Sequence, residues 1–196
     1  MDHSATQLFQ HQARYNQRAN EEMFRVLAQL TDRALKRDAG SWFGSIHGIL
    51  NHLIITDINW LRRFRALSPN STVLSDMALD PPNLSWDSDL HDNFQELSRN
   101  RASIDVLICD WFEEFPETRY GDTFEYQDSA GTFLSAVAGS AFNFLFTHQT
   151  HHRGQVSQVL DTLGLPNNMA DNIAYLEMQS GPRQDCAQNE RGGCKT

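Results

Sequence analysis

Cysteine is scarce in this chain, with three in 196 residues. Cys109, Cys186 and Cys194 match neither a zinc knuckle nor a CxxC redox pair, which excludes both as organising devices. Cys109 sits inside a helical pattern and reads as a small buried hydrophobe rather than a nucleophile. Cys186 and Cys194 lie in a polar tail, and a reducing compartment suits all three. Long apolar runs are also missing. The longest, around Leu53–Ile55, falls far short of the ~20 residues of a membrane span. Positive charge is in deficit, at 16 Lys and Arg against 25 Asp and Glu, a formal −9. That is the wrong sign for a phosphate-binding surface, and basic clusters such as "WLRRFR" at 60–65 form no stripe. Neither nucleic acid nor membrane is an expected partner. The N-terminus "MDHSATQLFQ" has no basic start and apolar core of a secretory signal, so a cytoplasmic location is expected.

What is present is helical periodicity. A chain of 196 residues fits one domain, able to bury roughly 70% of its unfolded surface and so to fold without a metal or disulfide. Residues 8–30 place Leu8, Tyr15, Ala19, Met23, Val26, Leu27 and Leu30 at helical spacing. Residues 31–44 read as a glycine-punctuated connection with one helical turn. A second helix is expected from about Ser45 to Phe64, with Ile46, Leu50, Leu53, Ile54, Trp60, Leu61 and Phe64 sharing their face with one acid, Asp57. A loop over 67–87 follows, long enough to suggest a functional lid. A third helix is expected over about Ser88–Phe115, capped by Asp87 or Ser88. A hairpin is expected within 118–132, then a fourth helix over about Phe133–Leu163 that stops at Gly164 and Pro166. Residues 169–178 suggest a short packing segment. The domain is bounded at 1–180, and 181–196 reads as a polar, disordered tail. Four amphipathic segments with one hairpin and no βαβ rhythm indicate an all-α four-helix bundle.

The densest chemistry is "FTHQTHHRGQ" at 146–155. Four residues advance a helix by about 400°, so His148 and His152 point the same way, one turn apart. His151 is rotated by about 100° from His152 and falls outside. Both members of the pair lie on the edge of a stripe formed by Ala138, Ala141, Phe142, Leu145, Gln149, Val156, Val159, Leu160 and Leu163. An HxxxH pair on one face is a common transition-metal motif, although such a pair is also satisfied by solvent or a neighbour. A third ligand would come from His47 or His52 on the second helix. Their five-residue separation lets only one serve the same ion, and periodicity does not choose between them.

The stretch "FGSIHGILNHLIITDINWLRRF" at 43–64, taken with "FTHQTHHRGQV" at 146–156, resembles the DinB family of damage-inducible proteins. "ARYNQRANEEMF" at 13–24 and the "EYQDSAG" hairpin extend the resemblance over about residues 8–178. It implies a metal-dependent protein on an up-down-down-up four-helix bundle. In that family one histidine of the second helix joins the first and last histidines of HxxxH; carried over by motif, these are His52, His148 and His152.

A neutral three-histidine set leaves a divalent ion its full charge and an open position, suited to lowering the pKa of bound water or stabilising a thiolate. Zinc or nickel is the expected metal, with manganese or iron compatible. No paired Glu-x-x-His motif is present for a di-iron centre. Asp57 and Arg153 are the candidate catalytic neighbours, the first to orient a ligand or move a proton, the second to steady an anion. Each also has a structural reading as half of an ion pair. Asn51 and Gln149 have readings as donors or as backbone-satisfying amides. Trp60 and Phe64 read as core, and His47 and His151 as rim residues. The spacing of His3, His11 and His91 along the sequence carries no reading. The expected function is a hydrolase-like enzyme or a low-molecular-weight-thiol transferase acting on a small molecule, with a non-catalytic metal-binding stress-response protein as the alternative. A homodimer through a helix face is compatible with the exposed aromatic loops. Since ligation needs neutral histidines, activity should fall as the pH drops through about 6.

Overall fold

The computed structural model describes residues 4–81, 89–128 and 130–167. They form α1 (Ala5–Leu27), a single turn α2 (Asp32–Leu35), α3 (Ile46–Phe64), α4 (Phe94–Glu114), the hairpin strands β1 (Thr123–Gln127) and β2 (Phe133–Val137), and α5 (Ala138–Thr162). α1 packs on α4 and α5, and α3 packs on the same two helices. No described helix is long and apolar enough to cross a membrane. The expected segment at 169–178, the tail at 181–196 and the Asp87 or Ser88 cap lie outside the described residues.

Local sequence sets most helix ends. Ser4 and Gln7 form a reciprocal capping box at α1, satisfying two amides that the helix leaves free. Ser45 accepts from Gly48 N at the start of α3, so the expected limits of that helix hold. The third long helix starts later than expected. Asn93 caps it by accepting from Gln95 N and Glu96 N, and Leu90 packs on the core from outside the helix. In the first turn of α1, Leu8 is 54% exposed rather than inward.

The larger correction concerns residues 133–137, expected as the first turns of the last helix. They are β2, paired antiparallel with β1 in the register Phe124↔Ala136 and Tyr126↔Leu134. A short apolar run fits either period, and the hairpin turn through Gly131, at φ 81°, decides for a strand. α5 therefore starts at Ala138 without a side-chain cap. Backbone carbonyls do that work: Ala138 N donates to Asp122 O at 2.8 Å and Gly139 N to Tyr120 O at 2.9 Å.

One end of the core is aromatic. The Phe142 ring sits 5.2 Å from those of Phe64, Trp111 and Phe112, and 5.6 Å from that of Phe9. Full burial of each such ring contributes about 1.5–3 kcal/mol. The described part of the α3–α4 connection is pinned near this end. Arg65 donates to Leu74 O at 2.7 Å and pairs with Asp80, Leu67, Leu74 and Leu79 are buried, and Arg119 donates to Leu67 O at 2.6 Å. No hydrogen bond, ion pair or ring contact joins the described residues 65–81 to the histidines discussed next.

Candidate metal centre

α5 presents His148 and His152 one turn apart, and α3 presents His52 opposite them. The Nε2 of His148 lies 3.1 Å from the Nε2 of both His52 and His152. The three ligand atoms fall within 4.8 Å of one another, the one group of metal-ligating type among the described residues. A single imidazole proton cannot serve both contacts of His148, so mutual hydrogen bonding leaves the trio under-satisfied. A cation that takes three lone pairs satisfies it, provided each ring carries its proton on Nδ1. His152 is held in that state, because its Nδ1 faces Gln155 Oε1 at 2.7 Å. The Nδ1 atoms of His52 and His148 are buried without a partner among the described residues.

The electrostatics favour the neutral, ligating form. Burial, reinforced by the neighbouring imidazoles, lowers the pKa of His52 to about 4 and that of His148 to about 3. Burial lowers His152 too, with its Gln155 hydrogen bond opposing. These values move the acid limit of ligation below the pH of about 6 expected from an unperturbed histidine.

Aromatic rings flank the trio. The Phe43 ring stacks on His52 at 4.0 Å and meets His152 edge-on at 5.4 Å. Phe144, one turn before His148, stacks on it at 5.6 Å. Phe43 reaches His52 because its backbone lies directly on α3 at Gly48, where an added Cβ would collide with the Phe43 carbonyl oxygen.

His47 is occupied elsewhere. Its Nε2 contacts Asp92 O at 3.2 Å, and Asn51 binds both the carbonyl and the amide of His91. This pair straps residues 91–92 to α3. His151 is exposed, with its ring 4.9 Å from that of His152. Cys109 is half-buried, and burial pushes its thiol up to about 12, as suits a packing residue. His3 lies outside the described residues.

No hydrogen bond or ion pair joins the side chains of Asp57 and Arg153 to the three histidines. They belong to a buried polar network that touches all four long helices. Arg101 Nη1 donates to Asp57 at 2.6 Å, and Arg101 also pairs with Asp105 at 2.9 Å. Gln149 donates to Asp57, Arg153 donates to Asn16, and Asn20 donates to Asp105 at 3.0 Å. All seven side chains are buried. Burial outweighs the attraction of Arg101 and raises both carboxyls, Asp105 to about 7. The sequence reading missed Arg101, Asp105, Asn16 and Asn20. The available signal was their i,i+4 spacing, Asn16 with Asn20 and Arg101 with Asp105, among apolar positions.

The DinB family model matches residues 1–191. A curated relative, Protein DinB of Bacillus subtilis (strain 168), is 22% identical over 166 residues, covering 84% of this chain and 91% of that protein. No solved structure matches. The chain belongs to the DinB family.

Proposed function

We propose that this member of the DinB family holds one divalent transition metal through His52, His148 and His152 and uses it as an enzyme on a small substrate. The observation that carries the reading is the convergence of three neutral imidazoles on one point, with no fourth histidine, cysteine or carboxylate joining the group among the described residues. Closed structural sites normally take four protein ligands, whereas three leave a position for substrate. Zinc or nickel suits an all-imidazole set, and manganese or iron is compatible with it. When bound, such an ion supplies Lewis acidity and lowers the pKa of a coordinated water or thiol, which fits a hydrolase or a transferase of a low-molecular-weight thiol. The chain's own residues hold the three rings in place: Gln155 fixes the tautomer of His152, and Phe43 and Phe144 fix the planes of His52 and His148 while shielding them from water.

The reading extends to the architecture, a four-helix bundle in up-down-down-up order. It is supported by the pairing of Phe9 with Phe112, of Phe64 with Trp111, of Asp57 with Arg101, and of Phe64 with Phe142. A same-direction α3–α4 pair needs a connection that travels back along the helices, which accounts for the long segment between Phe64 and Phe94.

The test is metal analysis and calorimetric titration of the full chain with zinc and nickel. Alanine at His52, His148 or His152 should cost at least a hundredfold in affinity, and His151→Ala should retain it. Retention after His148→Ala with loss after His151→Ala would overturn the ligand set. A panel of activated esters, amides and thiol–electrophile pairs, with His152→Ala as control, then reads turnover. Tight binding with no turnover by any metal would leave a binding protein.

A further inference from the structure

α3 is buried along most of its surface, but four residues past its first turn form a half-buried line: His52, Thr56, Asn59 and Arg63. Steps of four, three and four keep them on one face of the helix, spanning about 16 Å of its axis. All four are polar on a helix that is otherwise rich in isoleucine and leucine. Thr56 and Asn59 make no side-chain hydrogen bond, and Arg63 has no carboxylate within ion-pair distance, among the described residues. Thr56 and Asn59, without a side-chain hydrogen bond among the described residues, lead along this face from His52 to Arg63, an unusual use of a core helix.

The surroundings of this line are aromatic. The guanidinium carbon of Arg63 lies 4.7 Å from the Trp60 ring and 4.9 Å from the Tyr126 ring. Trp60 is 5.3 Å from Phe144, and Phe144 is 5.6 Å from His148. Phe144 is 47% exposed, and Leu134, the cross-strand partner of Tyr126, is 42% exposed. An apolar strip therefore joins the histidine trio to the hairpin, with a guanidinium at its far end. Burial lowers the pKa of Arg63, against attraction from Tyr126 and Asp128. Asp128 spends one carboxylate oxygen on the amides of Ala130 and Thr132 in the hairpin turn. A half-buried guanidinium gains most from a carboxylate, which it binds through two parallel charge-assisted hydrogen bonds.

We propose that this face of α3 and α5 binds an elongated organic carboxylate, with its anionic end on Arg63, its apolar body along the exposed Phe144 ring that covers the buried Trp60, and its other end beside the histidines. Thr56 and Asn59 serve polar groups along the body. The inference rests on the proposed metal centre only for the statement that the histidine end is the reacting end. The anion-binding end stands on Arg63 alone.

The experiment compares octanoate with octanamide by calorimetry on the metal-free full chain, so that a carboxylate–metal bond contributes nothing. Octanoate should bind at least tenfold more tightly. Arg63→Gln should bring acid and amide to parity, Arg63→Lys should keep part of the preference, and Phe144→Ala should weaken both ligands alike. The side-chain Nε–H resonance of Arg63, followed by NMR in the unmutated protein, gives a reading that needs no variant. It should shift with octanoate and stay fixed with octanamide. Equal affinity for acid and amide, no binding of either, or a preference that survives Arg63→Gln would overturn the proposal. His148→Ala separates the two readings, because it removes a metal ligand and should leave the acid preference intact. Failure of metal binding with the preference retained defeats the metal centre alone, and the reverse pattern defeats the carboxylate site alone.

Discussion

α5 carries two polar pairs in consecutive registers, His148 with His152 and Gln149 with Arg153. A rotation of about 100° sends them to different places. The histidines face a partly exposed edge and His52. The glutamine and arginine enter the interior and meet Asp57 and Asn16. Both pairs occupy ground that an apolar residue would fill, and they differ in what satisfies them. In the interior network two carboxylates, Asp57 and Asp105, stand against two guanidinium groups, Arg101 and Arg153, with amides between them. That region pairs charge with charge and ties the long helices together, with Asp57 Oδ1 left without a hydrogen bond among the described residues. With each proton on Nδ1, the histidine trio aims three lone pairs at one point and has no donor to share among them. In the proposed reading a metal completes it. One region carries the fold, and the proposed function assigns the chemistry to the other.

The largest expected effect lies in the interior. Replacing Arg101 by methionine keeps volume and removes the cation that pairs directly with both Asp57 and Asp105, leaving two buried carboxyls with Arg153 alone. The cost should be about 3–5 kcal/mol in urea unfolding. His148→Ala in the metal-free chain should cost about 1 kcal/mol or less, since His148 is half-buried and has no protein partner that is left charged. Equal costs at the two positions would erase the division of labour.

A smaller effect tests how rigidly the chemical region is built. Gly48→Ala places a methyl group against the Phe43 carbonyl and must displace the turn that stacks Phe43 on His52. Overpacking of this kind costs about 1–3 kcal/mol. The same variant should bind zinc more weakly, while Gly154→Ala, whose added methyl meets open space, should do neither. Unchanged zinc affinity in Gly48→Ala would show that Phe43 does not support the trio.

Much of this division was legible in the chain and part of it was not. The limits of α3 and the convergence of His148 with His152 follow from local spacing, which a helix converts directly into direction. The choice of His52 over His47 does not, because it depends on residues 91–92 covering His47 and on Phe43 reaching His52. Only the family resemblance pointed to His52. The interior network was hidden for another reason. Charged and amide residues on amphipathic helices are ordinarily solvated, so Arg101, Asp105, Asn16 and Asn20 carry no individual mark of burial. β2 was absorbed into the last helix because Phe133–Val137 satisfies both periods, and the carbonyls of Tyr120 and Asp122 that start α5 belong to a distant turn.

Acid and base should separate the regions with opposite signs, by about 1 kcal/mol per pH unit. Burial raises Asp105 to about 7. Its contribution is therefore present below the ordinary carboxyl pKa and is lost as the pH rises through 7. His52 and His148 are lowered to about 4 and about 3. Their contribution is present above the unfolded histidine value and is lost as the pH falls through those figures. Measured against Asp105→Asn, the metal-free wild type should lose stability from pH 5 to 7. Measured against His148→Asn, it should gain over pH 4 to 6.5. Two slopes of the same sign would contradict the comparison.

The smallest expected effect is on the backbone when the metal is removed. The apolar contacts that join α1, α3, α4 and α5 run through Phe142, Phe64, Trp111 and Leu53, and none of them passes through a histidine of the trio. The interior charges are neutralised by each other and need no ion. Chelation therefore removes only the stabilisation that ligand binding adds by mass action, which grows as the logarithm of free metal over its dissociation constant. A structural zinc finger behaves differently, because its ligands are also its core and it unfolds without metal. Far-ultraviolet circular dichroism of the chelated chain should keep its helical signal and a single cooperative thermal transition. The midpoint should rise when zinc is restored to the wild type and stay fixed in His52→Ala. Collapse of the helical signal on chelation would mean that the trio holds the helices together, and the separation between the two regions of α5 would fail at its root.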